Sequence, residues 1–245
     1  MKRPPGYRLP VSSNGTPDTL EIWFIRHGQT DWNLNGLIQG ASDTDLNETG
    51  RLQAERLRQR LAGTHFDAVW ASDLKRAMQT AQIALPGHVI VPEPRLRELN
   101  AGEVEGRSFV SLPEETRAVW SALWTGDSTV RPPGGESYQQ VIDRVRLWLA
   151  ELPSRGRVAA VVHGGVVHAA VRHTLGQYDG WRAGPSMRFA NTSISEVHLS
   201  GGRYSIVRLN DHAHLEGFDS PAALGATRSH AAEPRVENVA DTIVR

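Results

Sequence analysis

Two apolar runs in this chain end in the same way. Residues 23–33 read WFIRHGQTDWN, where Trp23, Phe24 and Ile25 lead directly into Arg26, His27 and Gly28. Residues 161–170 read VVHGGVVHAA, where two valines lead into His163, Gly164 and Gly165. A third stretch, SDLKRAMQTA at 72–81, sets Arg76 in the first turn of a predicted helix. A cation there opposes the helix dipole, whereas a bound anion would be held by the arginine and the free N–H groups together. Taken singly, each feature has an ordinary use: a structural histidine, a surface arginine, a glycine turn. Together, two arginines and two histidines at strand ends make a pocket of forked donors suited to phosphate oxygens. A histidine in such a pocket can act as nucleophile, because neighbouring guanidinium charges disfavour imidazolium and keep the ring neutral. Phosphoryl transfer also needs an acid for the leaving oxygen. The stretch RLRELNAGEVEG at 95–106 offers Glu98, Glu103 and Glu105, and spacing does not choose among them.

These residues need elements to hold them. Short apolar runs at 20–25, 66–71, 88–91 and 157–162, bounded by Gly, Ser and Pro, suit strands buried on both faces. Helix-period segments lie between them. In 48–62, Leu52, Leu57 and Leu61 share a face, with Asn47 as N-cap and Gly63 as the stop. In 73–85, Leu74, Ala77, Met78, Ala81 and Leu85 follow helical spacing, with Ser72 at the N-cap and Pro86 past the end. In 138–152, Val141, Val145, Trp148 and Leu152 form a stripe, and Ser137 with Gln140 makes a capping box before it. A fourth helix spans 165–175 and closes at Gly176, and Gly201-Gly202 joins two strand-like runs as a hairpin. Alternating strands and helices predict an α/β three-layer domain with a mainly parallel central sheet. Ligands of such sheets bind outside the carboxyl ends of the strands, where the three motifs fall.

Bulk composition narrows the partners. The 245 residues carry 27 Lys plus Arg and 27 Asp plus Glu, so the net charge is zero. That gives no basic excess for nucleic acid or an anionic membrane. No run of about 18 apolar residues offers a membrane span, and the chain has no cysteine for a disulfide or thiolate metal site. The basic N-terminus lacks an apolar segment behind it, so a cytoplasmic protein is expected. Residues 1–18 read as a flexible N-terminal arm, 19–216 as the catalytic domain, and 217–245 as a C-terminal tail.

The stretch FIRHGQTDWN resembles the signature of the histidine phosphatase superfamily, branch 1, the phosphoglycerate mutase-like group. GASDTDLNETGRLQAERL, ASDLKRAMQTA, LRELNAGEVEG, GGES and VVHGGVVHAAV resemble its later blocks in the same order. The resemblance implies a three-layer α/β/α sandwich and selects Glu98 as the general acid and base. It implies that His27 is phosphorylated through Nε2, and that Arg26, Arg76 and His163 clamp the phosphoryl oxygens. Asn33, Gln39 and the backbone of Gly164 fall where further phosphate contacts are expected. No metal and no cofactor is implied, because the Arg and His charges stabilise the transferred group. Three positions depart from the family pattern: Val104, Asp45 and Val162 stand where Trp, Pro and Ser are usual.

Phosphatases and mutases of this family share the phosphohistidine. The mutases carry a long insert with paired arginines after the acid, whereas here Arg107, Arg117 and Arg131 stand singly before Gly134. The expected activity is therefore hydrolysis of a small phosphorylated metabolite. A phosphoglycerate mutase and a non-catalytic binder of phosphorylated ligands are the alternatives. Residues 107–131 are expected to form either a substrate lid with Phe109, Trp120 and Trp124 as walls or a small helical excursion that packs its own aromatics. A zinc site from His163, His168 and His173 fails, because steps of five residues turn about 140° on a helix. His212 and His214 could chelate only weakly, and His65, His88 and His198 read as structural or surface residues.

Overall fold

The run Thr19–Arg26 (β1) lies at the interior of the sheet, and its alternate side chains enter two separate cores. Leu20, Ile22 and Phe24 face one, while Trp23 and Ile25 face the other. The structure is a computed structural model that describes residues 18–125, 128–176 and 187–218. The arm, apart from Asp18, and the tail beyond Phe218 fall outside the described residues. A short helix, Asp31–Leu34 (α1), follows β1, and then Glu48–Arg60 (α2), strand Ala68–Ala71 (β2) and helix Lys75–Ala84 (α3). Strand Ile90–Pro92 (β3) leads through short 3-10 turns to helices Glu114–Thr125 (α4) and Tyr138–Leu149 (α5). Strand Gly156–Val162 (β4), helix Gly164–Thr174 (α6) and the hairpin of Ile194–Ser200 (β5) with Arg203–Asp211 (β6) complete the order.

The six strands run β3-β2-β4-β1-β5-β6. Pairs β1/β4, β2/β4 and β2/β3 are parallel, whereas β5 and β6 join antiparallel. Leu57 of α2 and Ala77 and Ala81 of α3 cover one face; Val141, Val145 and Trp148 of α5 and Val166 and Ala170 of α6 cover the other. This is the α/β/α sandwich that the alternating pattern predicts. Trp148 meets Phe24 and Trp70 edge-on, with ring centroids 6.1 and 5.8 Å away, tying α5 to two parallel strands.

Two local expectations change. Leu52 is half exposed, and α2 buries Gly50, Gln53, Ala54 and Leu57 instead. That face is built for backbone approach as well as oil: a Cβ on Gly50 would lie 2.0 Å from the Gln29 carbonyl oxygen, and Gln53 Oε1 accepts from Gln29 N at 2.9 Å. Ser72 does not cap α3. Its N-cap is Leu74, without a side-chain cap, and Asp43 Oδ1 receives the Lys75 N–H at 2.7 Å from a separate loop. Ser137 and Gln140 do form their capping box at the start of α5.

Candidate active site

Strand β1 ends at Arg26 with His27 next in the chain, and β4 ends at Val162 with His163 next, which sets the two histidines side by side. The two imidazole centroids stand 5.1 Å apart. His27 Nδ1 lies 2.6 Å from the Gly28 carbonyl oxygen. A carbonyl can only accept, so Nδ1 carries the proton and Nε2 keeps its lone pair. Burial first, then the Arg76 and Arg26 charges, hold the His27 pKa well below its usual 6.5. Gly28 keeps an ordinary φ. A side chain there would collide with the Gly50 carbonyl oxygen, at 2.6 Å from its Cβ, so the glycine serves the packing of α2 under the loop.

Arg76 enters fully buried from the second residue of α3. It donates to the carbonyls of Gly40 at 2.8 Å and Ser42 at 2.6 Å, and through Nε to His163 Nδ1 at 3.2 Å. Because His163 Nδ1 accepts, its Nε2–H donates to Ser72 Oγ at 2.8 Å. Both His163 nitrogens are thus committed, and the ring orients Arg76 from behind. Arg26 donates Nη1 to the Phe189 carbonyl, while its buried Nε has no partner among the described residues. Desolvation lowers both guanidinium pKa values to about 10, which leaves both charged at neutral pH.

The open cleft at these groups has a volume of about 140 Å³. Arg26, His27, Asn33, Gln39, Arg76 and Glu98 line its polar side. Gln39 Oε1 accepts from Thr30 and Thr44, at 3.0 and 2.9 Å, and Asn33 Oδ1 accepts from Thr30 N at 3.2 Å. Their carbonyl ends are therefore fixed, which leaves their amide NH2 groups as the ends able to donate to an anion. Gly164 begins α6 beside Arg26, whose Nε is 3.7 Å from where a Cβ would stand, but neither Gly164 nor His163 lines the cleft.

The three candidate acids separate cleanly. Glu98 lines the cleft, with Oε1 accepting from Leu99 N at 2.9 Å and Oε2 from Gly165 N at 3.1 Å. Glu105 is spent on structure, bonding Ala41 N at 2.8 Å, Ala101 N at 3.0 Å and the Ser42 hydroxyl. Glu103 is exposed. Arg144 of α5 fastens the Glu98 loop by donating to the carbonyls of Arg95 and Glu98, at 2.6 and 3.1 Å, while paired to Glu136 of the GGES stretch.

Several supports were invisible in the sequence. Thr80 Oγ1 receives Gly28 N at 3.0 Å and donates to the Arg76 carbonyl at 2.6 Å. Asn191 Nδ2 donates to the His27 carbonyl at 2.9 Å. Thr192 holds a φ of 58°, strained for a β-branched residue, and its N–H reaches the Arg26 carbonyl at 3.0 Å. Of the expected lid walls, Trp120 lines the cleft and Phe109 packs on the core; the Trp124 side chain lies outside the described residues. Potential metal ligands Glu21, Glu196 and His198 cluster on the far side of the sheet's antiparallel half. Arg157 and Arg208 already neutralise the two carboxylates at 2.5 and 2.7 Å, so the group is an ion-pair network. His212 and His214 do not chelate together: one bonds the Asn210 carbonyl at 2.7 Å, the other Thr192 Oγ1 at 3.0 Å.

A doubly covered, mainly parallel sheet with a cationic cleft and a neutral histidine at its strand ends defines an α/β protein suited to phosphoryl groups. The chain belongs to the histidine phosphatase superfamily (branch 1), whose family model matches residues 22–212. A relative from Salmonella choleraesuis, named "Probable phosphoglycerate mutase GpmB", is 38% identical over 213 residues, covering 83% of this chain and 97% of its own. The metal-independent phosphoserine phosphatase of Arabidopsis thaliana is 33% identical over 221 residues, covering 84% of this chain and 90% of its own. Among solved structures, a mycobacterial glucosyl-3-phosphoglycerate phosphatase superposes with TM-score 0.68 at 28% identity, over 78% of this chain and 99% of that one. Entamoeba histolytica phosphoserine phosphatase in complex with 3-phosphoglyceric acid gives TM-score 0.69 at 25% identity, over 80% and 99%. Among the described residues, no helix is long and apolar enough to cross a membrane.

Proposed function

We propose that the chain hydrolyses small phosphomonoesters through a phosphohistidine on His27, with no metal in the reaction. The observation that carries this reading is the His27 tautomer. Its Nδ1–H is tied to Gly28, which leaves Nε2 as a neutral nucleophile between Arg26 and Arg76. In the first step Nε2 attacks phosphorus, a P–N bond forms, the P–O ester bond breaks, and Glu98 gives its proton to the leaving oxygen. In the second, water attacks the phosphohistidine, Glu98 takes its proton, and inorganic phosphate leaves with His27 neutral again. Arg26 Nε and the amides of Asn33 and Gln39 hold the phosphoryl oxygens, while the Arg76 charge lowers the energy of the transferring group. His163 acts by orienting Arg76.

Rapid acid-free quenching during turnover of a phosphomonoester should trap acid-labile, base-stable phosphate on His27. His27→Ala should abolish both trapping and release of phosphate while still binding orthovanadate. Trapping at another residue, or full turnover by His27→Ala, would overturn the proposal. The likeness to GpmB supports a second reading, transfer between the hydroxyls of a phosphoglycerate. An isomerisation assay run beside phosphate release separates the two, because only a mutase returns the phosphoryl group to the substrate.

A further inference from the structure

The cleft has a mixed lining. Besides its polar groups, Leu37, Ile38, Leu99 and Trp120 line it. This wall is built rather than incidental. Leu37 bridges to Ser108, Ile38 N donates to the Arg107 carbonyl at 3.0 Å, and Gly106 N donates to the Ile38 carbonyl at 2.8 Å. Leu99 is buried and adjoins Glu98, whose Oε1 is fixed by the Leu99 N–H at 2.9 Å. Trp120 comes from α4, where it is only 9% exposed and packs in the same core as Leu112 and Leu123. These side chains are held by the fold before any substrate arrives, so their shape is available without a further ordering cost.

The position of the acid says what this wall faces. Glu98 must reach the ester oxygen, so the organic group on that oxygen emerges beside Glu98 and its neighbour Leu99. Among the described lining residues, the cations are Arg26 and Arg76, and the phosphoryl group uses both. A carboxylate on the organic group would lose water against Leu and Trp with both of those guanidinium groups already engaged by the phosphoryl group. An apolar or planar group would instead replace water on those same surfaces.

Resting on the phosphatase reading, we propose that Leu37, Ile38, Leu99 and Trp120 select phosphomonoesters with an apolar or aromatic organic group over those with a carboxylate near the ester. Trp120 is the specificity-determining residue. The cleft volume, about 140 Å³, compares with the ~150 Å³ that admits a benzene-sized guest. A ring therefore fits only in part beyond the phosphoryl group, with Trp120 among the side chains it would meet.

Two primary-alkyl esters with matched leaving groups test this, 2-phenylethyl phosphate and O-phosphoserine. The full chain should prefer the first by about tenfold or more in kcat/KM, through KM. Trp120→Ala should remove most of that preference while inhibition by inorganic phosphate stays unchanged, and Trp120→Phe should restore it. Equal or better use of O-phosphoserine, or an equal loss on both esters in Trp120→Ala, would overturn the proposal. Calorimetric binding of benzylphosphonate and phosphonoacetate gives an arm that needs no turnover. Tighter binding of benzylphosphonate supports the apolar wall, and tighter or equal binding of phosphonoacetate rejects it. An enzyme that shows this binding preference but hydrolyses neither ester would refute the phosphatase reading alone.

Discussion

At the scale of single residues, the site sorts its charged groups by what they have left to give. Among the described residues, Arg76 has the larger number of protein bonds and acts mainly as fixed charge, whereas Arg26 keeps a buried Nε without a partner. His27 keeps one lone pair and His163 none. Glu98 accepts two backbone N–H groups, from Leu99 and Gly165, which aim its carboxyl group at the cleft. If Glu98 protonates the leaving oxygen, its importance must grow with the basicity of that oxygen. Glu98→Gln should therefore lose about 10² to 10⁴ in kcat on an alkyl phosphate, and far less on p-nitrophenyl phosphate, whose leaving group needs no proton. Equal losses on both substrates would remove Glu98 from the acid role.

At the scale of elements, the first turn of α6 is where Glu98 and the end of β4 meet. A Cβ on Gly165 would stand 2.2 Å from Glu98 Oε1, so Gly165→Ala must displace the carboxylate. We expect at least a tenfold fall in kcat with the fold retained, read by steady-state kinetics beside circular dichroism. The same turn is tied from behind. Tyr138 donates its hydroxyl to the Gly165 carbonyl at 2.6 Å, and His168 Nδ1 meets that hydroxyl at 2.8 Å. Burial keeps the phenol protonated well past its ordinary range. Tyr138→Phe strips both groups of this partner and should cost about 1 to 3 kcal/mol in denaturant unfolding. A change within error would mean that the bond is not a support. The strands and helices α2, α3, α5 and α6 were legible from periodicity, because buried runs and helical stripes are local signals, whereas α1 and α4 were not read as helices. Leu52 was misplaced because the inner face of α2 receives a backbone loop, so Gly50 and Gln53 are buried where a leucine stripe was expected. Ser72 was misread because a serine before a helix satisfies the N-cap pattern, while its actual partner, His163, lies 91 residues away. Asn191 and Thr192 could not be found at all, since they act on the backbone carbonyls of Arg26 and His27 and leave no motif.

At the scale of the whole molecule, the sheet order brings strand ends distant in sequence to one edge, and the chemistry requires that edge to be dry. Its consequence is a set of histidines buried as neutral rings. His27 and His163 lie well below 6.5, His168 is pushed down to about 3 and His214 to about 4, in every case chiefly by desolvation. His173 is lowered for the same reason. Above about pH 6.5 these rings are neutral in both the folded and unfolded chain, and they do not tilt the balance. Below it, the unfolded chain takes up protons that the folded chain refuses, so stability falls as pH falls. Each such ring removes about 1.4 kcal/mol per pH unit until its own folded pKa is reached. The window runs from about 6.5 down to about 4 for His214 and about 3 for His168. Asp211, whose pKa is also lowered, acts in the same direction but only near and below 3.8. The unfolding midpoint should therefore drop steeply between pH 6.5 and 5, before the carboxylates titrate. Calorimetry or denaturant melts across that range check it, and a flat or rising midpoint would show that these rings are protonated inside the folded protein. Replacing His168 by Gln, which cannot titrate, should reduce the slope by about one proton in the same range. The neutrality on which the proposed nucleophile His27 depends and the acid sensitivity of the fold thus share one main cause, desolvation by burial.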